Sequence, residues 1–193
     1  MDIQDQDSAA GSGGAPRNPG RRRFASAGAA ASGVILTLAS APGMATECRA
    51  PSGAMSGNVS RPGAKNVMCA GRSPGYWKNW ATYWPSGCYA ATAGRRQATT
   101  FASVFPFGWT SLYQTGTMMQ VLTCNDASLD RHNLGAHLVA AYLNVKSQKI
   151  SFLTVERLKS IWHDLYTYGY YTPVAGTRWY AKDVAEYLQR TET

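Results

Sequence analysis

Three histidines, His132, His137 and His163, are the chain's whole supply of imidazole. His132 and His137 are five residues apart, not the four that set two ligands on one helical face, and no H-E-x-x-H pattern accompanies them. The sequence therefore points to no metal site and no cofactor. A nucleophile pair of Cys88 with His163, oriented by Asp164, can be drawn, but no local motif supports it and a disulfide competes for the cysteine. The carboxylates fall mostly on polar helix positions, where solvated charge is the default, so the facing pair of a glycosidase is not indicated. His137, His163 and Asp164 are the best catalytic set on offer. They would suit a small exported hydrolase of cell-wall or polysaccharide material, provided one cleft brings them within hydrogen-bond reach.

Binding chemistry has more material. Tyr76, Trp77, Trp80, Tyr83 and Trp84 recur at helical spacing and are interleaved with Lys78 and Asn79. Aromatic faces stack on sugar rings while ammonium and amide groups bond hydroxyls, so Trp77, Lys78, Asn79 and Trp80 are the candidate contact residues for a glycan. The competing expectation is that these rings are core anchors, because buried aromatics dominate the energetics of small domains. The binding module requires a solvent-facing stack of Trp77 and Trp80, and this contact hypothesis fails if both rings are buried. The formal net charge of +8 favours anionic neighbours such as acidic polysaccharide or another cell-surface polymer. Nucleic acid is disfavoured: Arg95, Arg96, Lys146, Lys149 and Arg178 are scattered, and no Gly-rich phosphate loop follows a strand.

The four cysteines, Cys48, Cys69, Cys88 and Cys124, show no C-x-x-C spacing. An even count fits two structural disulfides in an oxidising compartment. Pairing neighbours gives Cys48–Cys69 and Cys88–Cys124, with the other connectivities open.

That compartment agrees with the start of the chain. A long polar opening leads to Arg21-Arg22-Arg23-Phe24, and residues 25–41 carry no charge. This is the layout of an export signal, and the arginine pair suits the twin-arginine route over ordinary secretion. Of two cleavage sites, Ala39-Ser40-Ala41 and Met44-Ala45, the second is preferred because Pro42 would follow the first cut. The apolar run is too dilute to hold a span in lipid, and Thr46-Glu47 before Cys48 is no lipobox. Residues 1–45 read as a removable signal and the product as extracytoplasmic, periplasmic or secreted. Removal takes four arginines and three aspartates, so the mature chain stays strongly basic.

The elements that would position these residues follow from periodicity and caps. Residues 46–72, broken by Pro51, Gly53, Gly57, Pro62 and Gly63, read as an irregular lead-in. Residues 73–193 read as one helical domain. Ser73-Pro74 opens an aromatic helix that Pro85 and Gly87 stop. Residues 86–116 read as a long loop with a short strand near 98–104, and residues 117–123 as a short helix. Residues 129–143 form a firmer helix with Asn144 as its C-terminal cap. Val155 to Tyr168 is the clearest helix, with Thr154 as cap, an apolar stripe of Val155, Leu158, Ile161, Trp162 and Leu165, and Gly169 after its end. Ala181 to Arg190 is the last. The expected fold is mainly α: four or five short helices with long loops, tied by disulfides.

Two stretches carry a resemblance. Ser73-Pro-Gly-Tyr-Trp-Lys-Asn79 with Trp84-Pro85, followed by Leu134-Gly-Ala-His-Leu-Val-Ala-Ala-Tyr-Leu-Asn144, resembles a family of uncharacterised bacterial exported proteins. Its members pair Gly-Tyr-Trp-Lys-Asn-His…Trp-Pro with a later Leu-Ala-x-Gln-Leu-Ile-Ala-Ala-x-Leu-Asn helix. The resemblance spans most of residues 73–190. Trp80 stands where the family has His, and His137 stands near its Gln, so no role resting on a histidine after Asn79 carries over. What the resemblance implies is a secreted or surface-displayed domain without a defined activity. The function expected from the sequence is an exported, non-catalytic binding or surface-associated module for glycans or anionic polymers.

Overall fold

The computed structural model describes residues 49–55 and 68–193. The chain divides into residues 1–43 and 44–193, and every described residue belongs to the second unit. The export signal, Cys48 and its cleavage sites lie outside the described residues.

The architecture is mainly helical. Seven α-helices are present among the described residues, most of them short: α1 (Pro51–Met55), α2 (Pro74–Asn79), α3 (Ser111–Thr115), α4 (Met118–Thr123), α5 (Leu134–Lys146), α6 (Val155–Tyr168) and α7 (Ala181–Arg190). Single-turn 3-10 helices occupy Ala81–Tyr83 and Arg131–Asn133. The described residues contain no sheet, only isolated bridges such as Thr100 with Thr117 and Tyr171 with Trp179.

Helix α5 is the hub, packing against α2, α4, α6 and α7. It is buried around nearly its whole circumference, from Leu134 through Asn144, with His137 the only side chain of that run left half-buried. A helix apolar on all sides has to be enclosed by others, and Ala136, Ala140 and Ala141 keep its surface low enough for them to approach. Its N-terminus is held by Asp130, a buried carboxylate that accepts from the Gly135 and Ala136 amides at 2.9 and 3.0 Å and from the Tyr113 hydroxyl at 2.7 Å. These satisfy two amides that a helix start otherwise leaves without partners. They also push the Tyr113 hydroxyl well above its ordinary pKa, through burial first and the neighbouring carboxylate second.

At the other end of α5, Asn144 is fully buried. Its Oδ1 accepts from the Arg72 amide at 2.8 Å and from the Trp77 indole at 3.1 Å, while its Nδ2 donates to the Arg72 carbonyl at 2.9 Å. Asn144 was expected to cap the helix. Instead α5 runs on to Lys146, with Ser147 as C-cap, because the Asn144 amide is spent on joining α5 to the approach to α2. The helix also starts later than the expected residue 129: His132 and Asn133 take left-handed φ angles of 62° and 54° in a turn ahead of it.

The aromatic segment departs from one continuous helix. Helix α2 is capped as expected, with Ser73 Oγ accepting from the Tyr76 amide and Pro74 in the first turn. It breaks at Trp80 because the Trp84 indole donates to the Trp77 carbonyl at 3.0 Å, occupying an acceptor that the next helical turn would use. The strand expected near residues 98–104 is replaced by tight turns in which the Val104 and Phe105 amides both donate to the Phe101 carbonyl. The segment facing it, after Thr117, is helical and offers no ladder. Thr117 and Gln120 close a capping box there. Helices α6 and α7 have the expected bounds, with Thr154 accepting from the Arg157 amide and Gly169 at φ 78° ending α6.

Removing the Asn144 amide strands three polar groups, the buried Trp77 indole and the part-buried Arg72 amide and carbonyl, each worth about 1–3 kcal/mol when buried and left unpaired. Asn144→Ala is expected to lower the unfolding free energy by roughly 3 kcal/mol in urea titrations, at the lower end of that summed cost. Ser147→Ala, which deletes a buried hydroxyl without a hydrogen-bond partner, should leave it unchanged.

Candidate functional site

The four expected contact residues separate. Trp77 is 0% exposed and bonded into the core, whereas Lys78 and Asn79 face solvent and Trp80 is 53% exposed. The Trp77–Trp80 stack is not formed. Trp77 is a core anchor, because its indole N–H has its partner on α5. Trp80 instead lies beside the exposed Tyr83, with centroids 6.0 Å apart and planes tilted by 50°.

The histidines also separate. His137 Nδ1 is 2.7 Å from Glu192 Oε1, near the end of the chain. It borders a cleft of about 180 Å³ lined by His132, Asn133, Lys182, Glu186 and Gln189. His163 has its polar contact with its sequence neighbour Asp164, at 3.5 Å, and borders a different groove. No group of three His, Cys, Asp or Glu side chains suited to a metal occurs among the described residues.

The expected Cys88–Cys124 bridge is absent: both are free thiols. They point at different partners. Cys88 is buried with its sulfur 3.8 Å from the Tyr142 hydroxyl on α5, and Cys124, half-buried at the end of α4, faces the Asp126 carbonyl at 3.6 Å. Burial pushes the Cys88 thiol up, against a smaller opposing effect of Tyr142 and Lys146. Burial, with the adjacent Cys88, likewise raises Tyr142 to about 12.

The best-built exposed surface was not legible as a motif. Phe107, Trp109 and Tyr166 are 62%, 49% and 39% exposed. The Phe107 and Tyr166 rings stack at 5.5 Å with planes 17° apart, and Trp109 lies 5.8 Å from Tyr166. Trp109 rests on a buried aromatic base. Trp162 of α6 packs edge-on against Trp109, Phe101 and Tyr113 at 4.9 to 5.0 Å and donates its indole N–H to the Pro106 carbonyl. Two backbone features hold the loop out. Phe107 adopts φ 69°, unusual for a bulky residue, and Gly108 passes so close to α3 that a Cβ there would sit 2.4 Å from that of Tyr113. The sequence signal was a Phe-Gly-Trp loop triplet together with a tyrosine outside the apolar stripe of α6.

Beside this surface runs a groove of about 400 Å³. Its walls are the turn carrying Ala102, Ser103, Val104 and Pro106 on one side and Lys159, Ser160 and His163 of α6 on the other, with Trp162 between. Its only ionisable lining groups are Lys159 and His163. Lys159 pairs with no carboxylate among the described residues. Elsewhere, Tyr168, Tyr170 and Tyr180 form a looser array with Arg178 4.4 Å above the Tyr170 ring. Compared with protein-family models, curated proteins and solved structures, the chain matches none.

Two outcomes follow from these environments. In the native chain Cys124 should react with an aromatic disulfide reagent while Cys88 reacts only on unfolding, and Cys124→Ser should remove the fast phase. Glu192 is raised above its ordinary value of 4.5, chiefly by burial and with His137 pulling it partly back. The folded chain thus holds a proton that the unfolded chain has released. The associated stability is complete below pH 4.5 and is lost as pH rises through the raised value. Glu192→Gln should remove this component, so its stability relative to the parent should improve with rising pH across that window in urea titrations.

Proposed function

We propose that this chain is an exported, non-catalytic binding module that attaches to glycans of a cell surface or extracellular matrix. The observation that carries the reading is the solvent-facing Phe107–Tyr166 stack with Trp109, which rests on a buried aromatic base. Exposed rings at element positions locked by packing lose little entropy on binding, and flat aromatic faces suit the apolar faces of sugar rings. The contact surface is thus assigned to Phe107, Trp109 and Tyr166, and of the four residues expected from the sequence only Trp80 keeps an exposed ring, beside Tyr83.

Export rests on Arg21-Arg22-Arg23-Phe24 and the uncharged run behind it. A bridge between Cys48 and Cys69 belongs to the same reading, Cys48 lying outside the described residues and Cys88 and Cys124 being free. The two stretches that carry the resemblance to exported proteins meet through Trp77 and Asn144. Nothing in the arrangement favours the hydrolase, because His137 and His163 border separate clefts.

Affinity electrophoresis of the full chain through gels containing soluble polysaccharides tests the reading. Trp109→Ala and Tyr166→Ala should each weaken retardation by roughly fivefold, about 1 kcal/mol per stacked ring, with Trp77→Phe leaving it intact. Retardation by no polysaccharide, or loss confined to Trp80→Ala, would count against this site.

A further inference from the structure

Resting on that reading, we propose that the groove beside the aromatic stack is a subsite for the carboxylate of an acidic sugar, making uronic-acid polysaccharides the ligand class. The groove and the stack share their supports: Pro106 lines the groove and Phe107 begins the stack, while Lys159, His163 and Tyr166 lie on successive turns of α6. At a rise of about 1.5 Å per residue, His163 is about 4.5 Å and Lys159 about 10 Å along the helix from Tyr166. That spacing sets both basic residues on the helix face that carries Tyr166, at increasing distance from the stack.

The charge pattern selects the ligand. Both ionisable groups lining the groove are basic, no carboxylate lines it, and Lys159 has no ion-pair partner among the described residues. Asp164 and Glu156, the acidic neighbours on α6, do not line the groove. Asp164 contacts His163 through Nδ1, leaving the opposite ring nitrogen for a hydrogen bond. The hydroxyl residues Ser103 and Ser160 complete the wall, and the volume of about 400 Å³ falls in the range of small-ligand sites. A chain net charge of +8 draws such polymers toward the site. A nucleic acid fits less well, because tracking a phosphate backbone takes more basic groups than the two that this groove presents.

The experiment compares the full chain's affinity for polygalacturonate with that for the same polymer after carboxyl reduction, and with that for single-stranded DNA. It uses the parent, Lys159→Gln, and Lys182→Gln as a control of equal charge outside the groove. Lys159 is exposed and its variant's fold is checked by thermal melting. The expected result is at least about tenfold tighter binding to the acid form. Lys159→Gln should abolish that preference and leave binding to the reduced polymer unchanged, and Lys182→Gln should have no effect. Equal losses in the two lysine variants would replace the subsite with diffuse charge. Equal affinity for the reduced polymer would overturn the carboxylate subsite and leave the glycan reading standing. Tighter binding of single-stranded DNA, lost in Lys159→Gln, would assign the groove to nucleic acid and overturn it too. Retention by neither polymer would end both.

Discussion

The buried amide of Asn144 sits where three parts of the chain are joined. A buried amide is costly unless its groups are bonded, and here the oxygen takes two donors while the nitrogen serves the Arg72 carbonyl. The residues leading into α2, the Trp77 ring and the central helix are thereby fixed relative to one another. Much of the local geometry follows. With Trp77 drawn inward, the Trp84 indole can take its carbonyl, α2 ends after six residues, and Trp80 and Tyr83 are left facing outward.

The sequence was most informative where one helical face is apolar and the other is not. Helices α6 and α7 carry such stripes, α6 with legible caps as well, and their bounds could be read from the sequence. Helix α5 hides its limits because it is apolar all round: with no polar face there is no phase to read, and a buried Asn looks like a terminator. Helices α1 and α3, five residues each, are too short to display a 3.6-residue period, which is why the expected count was four or five. The Thr-rich segment near residue 100 has strand-like composition but faces a helix, and a strand without a partner does not form.

The candidate site was less legible than the fold for a related reason. Residue type shows that Trp77 and Trp80 are large and stackable, but only the bond between the Trp77 indole and α5 decides which of them is a core ring. The surface formed by Phe107, Trp109 and Tyr166 draws on a loop and a helix more than fifty residues apart. Its organiser, Trp162, looks from sequence like any other member of an apolar stripe. Packing around that one ring, edge-on to Phe101, Trp109 and Tyr113, turns scattered aromatics into a surface.

The free state of Cys88 and Cys124 bears on the order of events in the life of the chain. A helical unit that closes around Trp162 and Asn144 with both thiols reduced needs no oxidant to reach its native packing. On the proposed export route this matters, because the twin-arginine machinery carries cargo that has already folded in a reducing cytoplasm. Cys69 pairs with Ile150 at the edge of that unit, so a bond made there on arrival would fasten the lead-in to a core already closed. On that route the chain would separate what must be finished before crossing from what the destination supplies.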